Sequence, residues 1–286
     1  MRLSVVIITF NEEANIGRTL ASVQPLVTDG EGEIIVVDSG STDRTVEIAK
    51  TFGAKVFVEQ WKGFAAQKNS AIDKATGDWI LSLDADEEVD PQLQRAVHDL
   101  LEALDSLSAL GKQADRRSLS TADTTSGGAI SHADFDGLRI PRKNEFLGRW
   151  IRHGGYWPDP KLRLFRRGKG KFESRAVHED VQVAGITRQI QSGALVHHSY
   201  PTLSDYAEHM NRYSSLGAEM VLAKGNHKVR FSAVNIVLRP LATFIYNYFF
   251  RLGLLDGREG LLLHLYHAVY VSWKYAKAWE LSRKES

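Results

Sequence analysis

The chain has 286 residues, enough for one large α/β domain with a self-sufficient core. It contains no cysteine, which excludes disulfides, thiolate zinc sites and cysteine nucleophiles and suits a reducing cytoplasm. The formal net charge of +1 says little as a total, but residues 139–175 are rich in Arg and Lys while 78–90 is acidic.

The opening MRLSVVIITFNEE has an apolar run too short for a signal peptide and no cleavage site, and it reads as a first strand. A helix is expected over 12–27, where Ile16, Leu20, Val23 and Val27 recur every three or four residues. Asn11 is its expected N-cap, with Glu12 and Glu13 in the first turn. A second strand over 33–37 leads through an SGST turn into a helix over 44–52. A third strand over 55–58, a helix over 64–75 and a fourth strand over 79–83 follow. Strand and helix alternating in this way predict a parallel, doubly wound sheet. Ligands of such sheets lie beyond the carboxyl ends of the strands. Three of those ends, Thr9-Phe10-Asn11-Glu12, Asp38-Ser39-Gly40-Ser41 and Asp84-Ala85-Asp86, therefore converge on one edge.

The fourth strand, in ILSLDADEE, stops at Asp84, Asp86, Glu87 and Glu88. Carboxylates so close to one another and to a core repel and resist ionisation unless something cationic shares the site. The short DxD pattern also fits a solvated acidic turn with Asp90 as a helix cap, but the apolar residues before it force the acids to a strand end. Neither GxGxxG nor GxxxxGK[ST] is present, so phosphate must be held in another way. A divalent cation, Mn²⁺ or Mg²⁺, bridging Asp86 to a diphosphate would offset the repulsion with hard oxygen ligands.

Further on, a helix is expected over 91–107, and 118–134, rich in Ser, Thr, Gly and Ala, reads as a mobile insertion. GLRIPRK, KLRLFRR and ITRQIQSGALVHH look like strands of a second, mixed sheet region. Strict alternation puts Arg163 and Arg166 on opposite faces of their strand, whereas a bulge would bring them to one face; Arg163 is the better phosphate or acceptor contact. Residues 203–224 and two apolar C-terminal runs look helical, one striped by Leu241, Phe244, Ile245, Tyr248, Phe249 and Leu252. The other is striped by Leu262, Leu265, Tyr266, Val269, Tyr270 and Trp273, with Lys274 and Lys277 following. The runs are too short or too charged to span a bilayer, which leaves core helices, a dimer interface or an interfacial membrane contact. No recognition helix or ribonucleoprotein motif accompanies the basic region, so nucleic acid is not an expected partner.

In order and spacing, VVIITFNEEANIGRTLASV, IIVVDSGSTDRTVEIA, GFAAQKNSA and WILSLDADEEV resemble the motifs of family 2 glycosyltransferases with the GT-A fold, over residues 3–90. KLRLFRRGKGKFESRAVHED followed by LVHHSY is similar to the subgroup that includes lipopolysaccharide core β-1,4-glucosyltransferases. The resemblance implies a mixed α/β sheet flanked by helices, with a transferase domain over 1–228 and an amphipathic helical segment over 229–286. It implies that Thr9, Asn11 and Glu12 line the nucleotide pocket, and that Asp38 accepts a hydrogen bond from uracil. Lys68 would approach the diphosphate, Asp84 the ribose or sugar, and Asp86 the metal, with His197 a second metal candidate. An inverting transfer needs a carboxylate base, which the resemblance places at Glu179 or Asp180. The expected activity is metal-dependent transfer of a hexose, glucose from UDP-glucose, to a saccharide acceptor of lipopolysaccharide core or a related glycolipid. The expected location is cytoplasmic, peripheral on the inner membrane. Transfer to a polyprenyl phosphate and a catalytically inactive sugar-nucleotide or glycan binder are the alternatives.

Overall fold

A computed structural model describes residues 2–28, 32–117, 135–173, 180–223 and 231–284. The expected insertion at 118–134 lies outside them. The strands, in chain order, are β1 (Leu3–Thr9), β2 (Glu33–Asp38), β3 (Lys55–Val58), β4 (Trp79–Asp84), β5 (Glu87–Val89), β6 (Gly137–Ile140) and β7 (Arg142–Phe146). They continue as β8 (Arg149–Trp150), β9 (Lys161–Arg166), β10 (Gly170–Phe172), β11 (Val181–Val183), β12 (Thr187–Gln189) and β13 (Leu195–Tyr200). The helices are α1 (Ile16–Val23), α2 (Thr45–Thr51), α3 (Phe64–Asp73), α4 (Pro91–Arg117), α5 (Leu203–Ala223), α6 (Arg239–Ile245) and α7 (Gly257–Lys284).

The chain forms two compact units that interleave along the sequence. The first comprises 1–141, 160–174 and 179–195, and the second 142–159, 175–178 and 196–286. A seven-stranded sheet ordered β12-β6-β9-β4-β1-β2-β3 organises the first unit. β1 pairs in parallel with β2 and β4, and β2 with β3. β9 lies antiparallel between β4 and β6, which makes the sheet mixed. Three strands expected in a separate sheet region, β6, β9 and β12, therefore extend the main one.

All seven residues of β1 are buried, as a central strand covered on both faces requires. Val5, Ile7, Trp79 and Leu81 point into the core on one face, and Val6, Ile35 and Ile80 into the core on the other. Each such side chain contributes about 1.5–3 kcal/mol on burial. Not every acid on this sheet belongs to a site. Glu33, at the amino end of β2, accepts from Ser4 Oγ at 2.8 Å, from Thr76 N at 2.7 Å and from Lys55 Nζ at 2.6 Å. Burial alone would raise its pKa, but these donors outweigh it and bring it to about 2. That carboxylate fastens strands, at the end remote from the carboxyl edge.

The second unit contains the strands β13, β7 and β8 in that order, with α5 and the C-terminal helices. Phe146, Ile151, Tyr206 and Leu263 form its core. Segments Val234–Leu238 and Tyr246–Phe250 are π-helical turns on either side of α6. Among the described residues no helix is long and apolar enough to cross a membrane.

Candidate active site

Parallel pairing brings the carboxyl ends of β1, β2 and β4 to one level, with Thr9 beside Asp38 and Ile8 beside Asp84. The loops leaving β1 and β2 are then laced together. Asn11 takes a left-handed backbone, φ 53°, and its amide donates to Ser41 Oγ at 2.8 Å while its own Oδ1 accepts from Thr42 N at 2.8 Å. Glu12 N donates to Thr45 Oγ1 at 2.8 Å, and Glu13 N to Asp43 Oδ2 at 3.1 Å. Asn11 is thus not the N-cap expected of it: α1 begins at Ile16, after a turn in which Glu12 O accepts from Asn15 N and Ile16 N. Its side chain ties two loops rather than one helix.

Asp38 is 1% exposed and folds its own turn, Oδ2 accepting from Gly40 N and Ser41 N at 2.9 and 2.8 Å, Oδ1 from Ser41 Oγ at 2.5 Å. An ionised carboxylate has about four acceptor directions, so Oδ1 retains capacity for a donor such as an imide N–H. Two hydroxyls at this edge, Thr9 Oγ1 and Ser39 Oγ, are buried with no hydrogen-bond partner among the described residues. Buried polar atoms left in that condition mark a place where a ligand or water completes the bonding.

The acidic cluster carries its own cations. Arg163 Nη2 lies 2.5 Å from Asp84 Oδ2 and 2.6 Å from Glu87 Oε1, and Lys68 Nζ lies 2.6 Å from Asp84 Oδ1. Glu87 closes the group by accepting from Asp84 N at 3.1 Å through Oε2. Burial pushes the Asp84 carboxyl up, but Arg163 and Lys68 outweigh it and hold its pKa well below the usual carboxylate range. Two carboxylates meet two cations, and the four side chains are neutral as a set.

A bulge aims Arg163. Opposite β6, Leu164 pairs with Leu138 and Leu162 with Arg139, leaving Arg163 as the extra residue on β9. Leu162 and Phe165 consequently join one core and Leu164 the other, breaking strict alternation. Lys68 and Arg163, both expected to meet phosphate or acceptor, are buried against acids, with Lys68 Nζ also 5.1 Å above the Phe172 ring. Glu12, by contrast, has its pKa raised by burial, countered by its bond from Asn15 and raised further by the charges of Asp86, Asp43 and Asp84. Glu12 and Asp86 are therefore electrostatic neighbours. Among the described residues no three His, Asp or Glu form a ready metal cage. That donor set suits a cation such as Mg²⁺, which takes one or two carboxylates and completes its shell with substrate phosphate and water.

His197 belongs to the second unit, where a cavity of about 270 Å³ is lined by Arg142, Asn144, Tyr156, Asp159, His197 and Ser199 among others. Arg142 donates to Asp159 Oδ2 through Nε at 3.1 Å and Nη2 at 2.8 Å. Asn144 Nδ2 donates to Asp159 Oδ2 at 3.0 Å and to Tyr156 O at 3.3 Å, which turns Asn144 Oδ1 to His197 Nδ1 at 2.9 Å. Ser199 Oγ lies 2.6 Å from the same His197 Nδ1, so that nitrogen sits between an amide oxygen and a hydroxyl. His198 is tied to Glu145 by 2.7 Å.

The structure thus brings Thr9, Asn11, Glu12, Asp38, Lys68, Asp84, Asp86 and Arg163 into the first unit and His197 into the second. Asp180 is half-buried in the first unit, its carbonyl accepting from Glu173 N at 3.5 Å, while Glu179 lies outside the described residues. Sequence reasoning left Glu87 without a role, although its place in DADEE was the available signal. Asn144 and Asp159 read as ordinary polar loop and strand residues and gave no signal.

The mixed α/β sheet presents acids at its carboxyl edge, where ligands of such sheets lie, and the sequence carries no glycine-rich phosphate loop. The chain belongs to glycosyl transferase family 2, whose pattern matches residues 4–170. It is 29% identical to the lipopolysaccharide core biosynthesis glycosyltransferase LpsC of Rhizobium meliloti (strain 1021), over 97% of this chain and 92% of that one. It is 30% identical to an uncharacterized glycosyltransferase of Rickettsia typhi (strain ATCC VR-144 / Wilmington), over 99% of this chain and 88% of the other. Among solved structures, S. aureus TarS 1-349 in complex with UDP-GlcNAc aligns over 100% of this chain and 93% of that chain, at 17% identity and a TM-score of 0.47.

Proposed function

We propose that this glycosyltransferase moves glucose from UDP-glucose, with inversion and with a divalent metal, onto a saccharide of lipopolysaccharide core or a related glycolipid. The observation that carries the reading is the convergence of Thr9, Asp38, Asp84 and Asp86 at one strand edge whose Asp84 and Glu87 are already neutralised by Lys68 and Arg163. Likeness to LpsC over nearly the whole chain supports the acceptor class.

In this reading Asp38 accepts from uracil N3–H, and Thr9 and Ser39 supply the hydroxyls that line the nucleoside. Asn11 and Glu12 hold the loop beside the diphosphate. Arg163 and Lys68 fix Asp84 in the ionised form, so that it can accept from a ribose or sugar hydroxyl without a proton of its own. Asp86 is the carboxylate for Mn²⁺ or Mg²⁺, with Glu12 as its electrostatic neighbour; the metal would supply charge to the leaving diphosphate. Arg142, Asn144, Asp159 and Ser199 offer the alternating donors and acceptors that saccharide hydroxyls need. The base, Glu179 or Asp180, takes the proton of the acceptor hydroxyl. The new bond forms between that oxygen and the anomeric carbon, and the bond to the β-phosphate oxygen breaks, with UDP leaving on its electron pair.

Mass spectrometry of the surface glycolipid tests this reading. Cells lacking the protein should yield a core shortened by one hexose, restored by the wild-type chain and not by Asp86→Asn. An unchanged glycolipid, or loss of a non-hexose residue, would refute the donor and acceptor assignment together.

A further inference from the structure

Between Phe231 and Leu255 twelve large apolar side chains are exposed, among them Leu238 at 56%, Leu241 at 52%, Phe249 at 51% and Phe250 at 75%. Scattered single apolar residues are normal on a protein surface, but this density within twenty-five residues is not. Val234, Leu238, Leu241, Ile245 and Phe249, three or four residues apart along these π- and α-helical turns, are all exposed. The other face is anchored. Ser272 Oγ on α7 donates to Ile236 O at 2.8 Å, and the Tyr248 ring meets the His264 ring at 6.3 Å, His264 being 1% exposed. The apolar stripe expected over 241–252 is thus divided, with Phe244 and Tyr248 half-buried and Leu241, Ile245, Phe249 and Leu252 facing out.

Charge selects the occupant. The same twenty-five residues hold Arg239 and Arg251, both exposed, and not one Asp or Glu. The guanidiniums lie over aromatic rings, Arg239 at 5.0 Å from the Tyr275 centroid and Arg251 at 5.9 Å from that of Tyr246. A second copy of the chain, docking about a two-fold axis, would set these arginines against an identical face with no carboxylate to receive them. An anionic lipid surface receives both features: the apolar side chains enter the headgroup and acyl boundary, and the arginines meet lipid phosphates. No described helix can cross the bilayer, so the face lies on it.

We infer that the exposed face of Val234–Leu238, α6 and Tyr246–Phe250 docks on the surface of an anionic bilayer. Flotation of the full chain with vesicles of phosphatidylcholine, alone or mixed with phosphatidylglycerol, tests this. The chain should float with the mixed vesicles, more weakly with the neutral ones, and less in high salt. Phe249→Ser with Phe250→Ser should abolish flotation while the chain still unfolds cooperatively, at a somewhat lower midpoint because Phe249 also meets the Tyr248 ring. Arg239→Gln and Arg251→Gln should each weaken binding to the mixed vesicles about five-fold. Absence of flotation with anionic vesicles at low salt would overturn the inference. So would light scattering that shows a dimer which the two Phe substitutions dissociate, since the face would then belong to a protein interface.

Discussion

Changing Glu179 to glutamine should lower kcat about 10²- to 10⁴-fold and leave the KM for the donor nearly unchanged, if Glu179 is the base as proposed. Glutamine keeps the size of the side chain and can still accept a hydrogen bond, but it cannot take a proton from the acceptor hydroxyl. That proton moves only in the transition state, so the loss falls on kcat and not on donor binding. Asp180→Asn is the paired control. Asp180 is half-buried just before β11, and if Glu179 is the base its substitution should cost much less. If Asp180→Asn carries the large loss and Glu179→Gln does not, the base is the neighbouring residue.

Arg163→Met should destabilise the first unit by about 3–5 kcal/mol at pH 7, the scale of breaking a buried ion pair from one side. Methionine fills much of the volume but leaves Glu87, 0% exposed, without its guanidinium. Arg163→Lys should recover only part of the loss, because both carboxylates meet the one Nη2 atom and the shorter lysine does not reach its position. The pH dependence follows from Asp84. In the wild type its pKa is well below 3.8, so its contribution is complete above the ordinary value and is lost only as pH falls through the lower, folded one. The difference between the two proteins in urea unfolding should therefore hold steady from pH 7 to about pH 4 and narrow only as pH falls below the ordinary aspartate value. A difference under about 1 kcal/mol at pH 7 is what an exposed ion pair would give, and it would contradict the buried role.

Much of the first unit was legible because its signals are local. Apolar runs ending in polar residues marked β1, β2 and β4, and the alternation with helices placed their ends on one edge. Asn11 misled because its residue type and position satisfy a helix cap, yet its oxygen reaches Thr42 N from across the sheet edge. The acidic cluster raised the right question, and part of the answer was out of view. Its nearest cations come from α3 and from a strand 79 residues along the chain, and Arg163 reaches Asp84 from a bulge that no alternation rule reveals. The cavity of the second unit was invisible for a similar reason. Asn144 meets His197 across 53 residues, and neither the strand pattern nor the composition connects them. At the C-terminus the period was clear, but a stripe alone does not tell which face is covered. Exposure at Phe249 and Phe250 does.

Release of UDP from UDP-glucose by the purified chain, with and without divalent metal, tests the central claim most directly. With Mn²⁺ or Mg²⁺ and a truncated core oligosaccharide as acceptor, UDP should appear together with a product one hexose heavier, and chelation should stop both. Asp86→Asn should raise the metal concentration for half-maximal release by about ten-fold or more. UDP release at an undiminished rate in excess chelator, or an Asp86→Asn protein with unaltered metal dependence, would contradict the assignment of this strand edge to a metal-bound sugar nucleotide.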